Sequence, residues 1–124
     1  MAPSTRKVIR AWARTYDPAL AVEAGARVEV THEDDQWPGW WWCIDAGGQG
    51  GWLPADLISP AQPGRSVILR AMDTRELTVI AGECVRAYQS ERGWTMCEND
   101  LGARGWVPDE ALAPPPSRAG AGTD

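Results

Sequence analysis

"GWWWCIDAGGQGGWLP" (residues 39–54) and "GWTMCENDLGARGWVP" (residues 93–108) decide the fold. Each is sixteen residues long, and Gly, Trp, Cys, Gly, Trp and Pro recur at the same places in both. The first holds Trp40, Trp41, Trp42 and Trp52, four of the eight tryptophans of a chain with no phenylalanine. Aromatic residues on either side of a glycine-rich turn suit a β-hairpin, because glycine accepts the positive φ of tight turns. The agreement extends upstream. Leu20, Val22, Gly25 and Val28 correspond to Leu77, Val79, Gly82 and Val85. The first copy carries extra residues inside "THEDDQWPG", as a surface loop tolerates.

The rest of the composition narrows the classes. At 124 residues the chain has room for one ordinary domain or two very small ones, and the repeat favours two. A net charge of −5 disfavours nucleic acid, whose phosphates call for basic patches. No apolar run approaches a membrane span of about 20 residues. "MAPSTRKVIR" has charge with no apolar stretch after it, so no signal peptide is expected and the default location is the cytoplasm. Three cysteines, none in a CxxC pair, fit a reducing compartment.

The ordered motifs resemble the Src-homology-3 (SH3) barrel, twice. "RELTVIAGE" (75–83), "ERGWTMC" (91–97) and "RGWVPDEAL" (104–112) follow that family's order. "PALAVEAGARVEV", "GWWWC" and "GWLPADLI" do so in the first copy. The chain also resembles short bacterial proteins with two such domains, of unassigned activity. The resemblance implies an all-β fold of two tandem SH3-like small β-barrels packed through a short linker. The expected divisions are a loose arm over 1–7, barrel 1 over 8–59, a linker over 60–66, barrel 2 over 67–113 and a disordered Pro/Gly tail over 114–124. The stretch "APPPSR" in that tail approximates the extended ligand such a fold holds.

The resemblance further implies a binding module and no enzyme. Trp40, Trp52 and Pro54, with Trp37, Trp42 and Tyr16 nearby, would form a water-facing furrow for an extended segment of another protein. That segment would be proline-rich or cationic. The loop Glu33, Asp34 and Asp35 would attract its cation. Trp94, Trp106, Pro108 and Glu91 are weaker equivalents in the second copy. The alternative is a structural or regulatory subunit whose tryptophans form a permanent interface between barrels or between copies. The family's usual tyrosines are missing: Leu57 and Ala111 stand in one place, "IRAWART" and "ILRAMDT" in another. Cys43 and Cys97 read as inert core thiols. His32, the one histidine, has no catalytic partner motif. No catalytic residue, cofactor or metal is implied, and the oligomeric state is left open.

Overall fold

In the computed structural model, which describes residues 4–114, the strands fall into two compact units. One unit gathers residues 14–76 and 91–93. Its strands are β2 (Ala21–Val22), β3 (Arg27–Glu33), β4 (Trp40–Ile44), β5 (Gly50–Pro54), β6 (Ile58–Ser59), β7 (Gly64–Ile68) and β8 (Met72–Asp73). A five-stranded antiparallel sheet runs in the order β5-β4-β3-β7-β6, and β2 pairs with β8. The other unit gathers residues 4–13, 77–90 and 94–114. There β1 (Ser4–Lys7), β9 (Cys84–Glu91), β10 (Trp94–Glu98) and β11 (Arg104–Pro108) form a sheet in the order β1-β9-β10-β11. A 3₁₀ turn follows the last proline of each hairpin, at Ala55–Leu57 and Asp109–Ala111.

Period-two alternation builds both cores. Val28 and Val30 point inward from β3 while Arg27 and Glu29 face out. They join Leu20, Val22, Cys43, Leu53, Leu57, Ile58 and Ile68. The second core repeats the set as Leu77, Val79, Val85, Cys97, Val107, Ala111 and Leu112, and Val8 takes the place of Ile68. Leu57 and Ala111, where the resemblance leads one to expect a tyrosine, are sealed inside. Gly25 (φ 87°) and Gly82 (φ 99°) take the left-handed turn that leads into β3 and β9, a conformation closed to most side chains.

The units correct the boundaries drawn on the sequence. The expected loose arm is strand β1 from Ser4, antiparallel to β9 with Lys7 opposite Cys84. The expected linker contains the start of β7, with Arg65 opposite Glu29. Both segments are polar and lie near breakers, so they read as loops. Their backbone groups are nevertheless taken up by a neighbouring ladder, which overrides local composition. The expected tail lies outside the described residues from 115 onward.

Candidate functional site

The β4–β5 hairpin sets the geometry. Trp42 stands opposite Trp52, Trp40 opposite Pro54 and Cys43 opposite Gly51. Alternation therefore sends Cys43 and Leu53 to the core, and Trp40, Trp42 and Trp52 to the other face. On that face Trp42 and Trp52 meet edge to face, centroids 5.1 Å apart at 70°. Tyr16 leans on Trp42 at 5.5 Å, and its hydroxyl accepts the Trp52 indole N–H at 3.2 Å. His32 stands edge-on to Trp52 at 5.4 Å, its Nδ1 bonded to the Thr31 hydroxyl at 2.8 Å. Edge-to-face packing suits the ring quadrupoles. Trp42 lies so close over Gly50 that any β-carbon there would overlap the indole. Tyr16 is 38% exposed, and Trp42 and Trp52 are half-buried. The row therefore presents aromatic surface to water.

Trp40 corrects the expected furrow, for it is 5% exposed. Its indole N–H donates to the Arg92 carbonyl at 2.8 Å. The Arg92 side chain covers Gly39, where a methyl group would stand 2.6 Å from its Nη1. Arg92 Nε lies 3.5 Å from Asp56, and Arg70 reaches both Asp56 (3.3 Å) and Glu91 (3.1 Å). Burial would raise the Asp56 carboxyl, but its own backbone N–H and the two guanidiniums outweigh that and hold it below the ordinary 3.8. Trp37 packs against Gly93. Among the described residues Arg92 is the one non-glycine at positive φ, 41°, a backbone state that persists where neighbours hold it. The turn Glu91–Gly93 thus covers Trp40, Gly39 and Trp37. Pro54 is fully buried.

The acidic loop is organised from within. Glu33 accepts the Gly39 N–H at 2.7 Å, and Asp34 accepts those of Gln36 (3.0 Å) and Trp37 (2.7 Å), as short acidic side chains do in turns. Asp35 is exposed. The second-copy equivalents are closed as well. Trp94 is 8% exposed with Trp12 edge-on at 5.4 Å, and Trp106 and Pro108 are buried. The counterpart of Trp41, Thr95, is buried and donates to Asp109 at 2.6 Å. Glu91 belongs to the first hairpin's surroundings through Arg70.

Sequence reasoning placed Tyr16, Trp42 and Trp52 together but missed His32. It sits at the end of β3, where the register shifts between Val30 and Glu33, and no spacing rule announces a bulge. The outer face of the other unit carries a second unforeseen group. Tyr88 donates to Glu98 at 2.6 Å, Arg86 donates to the same carboxylate at 3.2 Å, and Arg104 lies 4.5 Å over the Tyr88 ring. The Tyr88 hydroxyl, then Arg86, hold the Glu98 carboxyl below its ordinary value. Among the described residues no group of three or more His, Cys, Asp or Glu is arranged to hold a metal ion, and no helix is long and apolar enough to cross a membrane.

The thiols yield a direct prediction. Cys43 and Cys97 are fully buried, and burial pushes them up to about 12 and about 11 from 9.0. Cys84 is exposed. A thiol reagent on the native chain is expected to titrate one cysteine, and all three in denaturant. The unfolded thiols ionise near their ordinary value while the folded ones stay protonated. Stability present below pH 9 is therefore lost as pH rises toward 12. The urea midpoint should fall over that window, and less in the Cys43→Ala, Cys97→Ala variant. Equal slopes in the two proteins would refute the assignment.

No curated protein and no solved structure matches the chain. One family model matches part of it: residues 6–61 match the variant SH3 domain, and the chain is all-β with an SH3-like domain.

Proposed function

We propose that this protein is a non-enzymatic protein-binding module, and that the open aromatic row Tyr16, Trp42, Trp52 and His32 docks an extended segment of a partner. SH3-type domains are interaction modules, which supports the class. The observation that carries the location is the row itself: three large rings in mutual contact, held by cross-strand register and partly open to water. Rigid aromatic side chains give large contact area at small entropic cost, and such anchors dominate binding energy. An apolar face with indole N–H and phenol groups at its rim suits the ridges of a proline-rich or otherwise extended backbone. The acidic loop Glu33, Asp34 and Asp35 favours a segment that also carries a cation.

The test compares capped peptides in three forms: proline-rich with arginine, the same without arginine, and a scrambled sequence. Binding is read from tryptophan indole N–H shifts. Trp42→Ala is expected to lower affinity for the first peptide tenfold or more while the fold is retained by far-UV circular dichroism, the urea midpoint falling only in part because Trp42 is half-buried. Unchanged affinity in this variant, or binding shifts centred on the Tyr88 face instead, would remove the row as the site.

A further inference from the structure

Strands β1 and β7 occupy the same place in different units. In one, Arg27, Val28, Glu29 and Val30 face Val67, Ser66, Arg65 and Gly64. In the other, Cys84, Val85, Arg86 and Ala87 face Lys7, Arg6, Thr5 and Ser4. Arg27 to Cys84 is a step of 57, and Val67 to Lys7 is a step of 60 backwards. The same two steps generate the other three pairs. The equivalence continues beyond the strands. Ile68 pairs with Ile58 as Val8 pairs with Leu112. Gly25 N–H donates to Ile68 at 2.7 Å and Gly82 N–H to Val8 at 2.8 Å. Leu69 donates to Leu57 and Ile9 to Ala111, both at 2.8 Å. The sequences agree too: Val8-Ile9-Arg10-Ala11-Trp12 against Ile68-Leu69-Arg70-Ala71-Met72.

Yet β1 opens the first repeat and completes the unit built on the second, while β7 opens the second and completes the first. The family match runs contiguously over 6–61. A barrel closed within that stretch would seat β1 on β3, where β7 stands. We infer that the two repeats have traded their first strands, so that neither closes its own barrel and the stretches 1–62 and 63–124 depend on each other to fold. Without the traded strand each core lacks a fully buried aliphatic side chain, Ile68 or Val8, and β3 or β9 bares an unpaired edge.

The native Cys84 makes this measurable. It faces Lys7 in the traded register, and cross-strand neighbours lie within disulfide reach. The full chain carries Lys7→Cys and a specific-protease site between Gln62 and Pro63. Oxidation followed by cleavage is expected to leave both pieces joined in denaturant and to release them with reductant. A second variant carries Lys7→Cys, Arg27→Cys and Cys84→Ser. It would form a 7–27 bond only if each repeat closed itself, and no such bond is expected. As a third measurement, the cleaved but uncrosslinked protein is expected to elute as one particle with a single unfolding transition. A 7–27 disulfide, a 7–84 disulfide joining two copies, or cleaved pieces that elute separately as folded species would each overturn the inference.

Discussion

Replacing Trp40 by alanine is expected to cost about 3–5 kcal/mol, the range for removing a buried tryptophan. Small domains are stable by only about 5–15 kcal/mol in all, so the variant should be partly unfolded at 25 °C. Two features set the effect apart from that of an ordinary surface indole. The ring is 5% exposed, and its N–H is spent on the Arg92 carbonyl. Trp40→Phe separates the contributions. It keeps most of the apolar area and deletes the donor, and about 1–2 kcal/mol is expected for the carbonyl left unsatisfied. Urea unfolding read by far-UV circular dichroism checks both values. A Trp40→Ala protein within 1 kcal/mol of the parent would mean that the ring is open to water and that the original furrow stands.

Gly51→Val should be the next most damaging change. Gly51 faces Cys43 across the hairpin, and its missing side chain leaves room for Leu20. A β-carbon there would lie 2.6 Å from Leu20 Cβ, 3.1 Å from its Cδ2 and 3.3 Å from the Thr74 hydroxyl. Leu20 is fully buried and has nowhere to go. Overpacking of this kind costs about 1–3 kcal/mol, and a branched side chain belongs at the upper end. The second-site variant Leu20→Gly, which removes the Cβ that the new side chain meets as well as the Cδ2, should give part of it back when combined with Gly51→Val, because the two groups compete for one space. Strict additivity of the two losses would show that the strain lies elsewhere.

These residues show which parts of the molecule the sequence discloses. The repeated Gly-Trp and Gly-Trp-x-Pro frames lie within single hairpins, and their alternation already places Cys43 inward and Trp42 beside Trp52. Local periodicity suffices there because pairing partners sit about ten residues apart. The cover over Trp40 was not legible. Arg92 lies 52 positions downstream, and an exposed indole and a covered one carry the same local signature. Strand assignment failed for a different reason. Val8-Ile9-Arg10-Ala11-Trp12 and Ile68-Leu69-Arg70-Ala71-Met72 satisfy either seat equally well, so pattern alone is blind to which barrel receives which strand. Tyr16 precedes β2 in the chain, yet it lies against Trp42. Its hydroxyl reaches Trp52, a contact 36 positions along the chain that no rule of spacing gives.

The crossed ownership of β1 and β7 bears on heredity. A stretch of gene encoding one repeat, copied into another protein, would deliver a barrel short of one wall and with a greasy flank. Recombination can move such a cassette only as a pair, and drift in either half is answerable to the other. Likeness of sequence would let the repeats drift apart; the inferred crossing would keep them together.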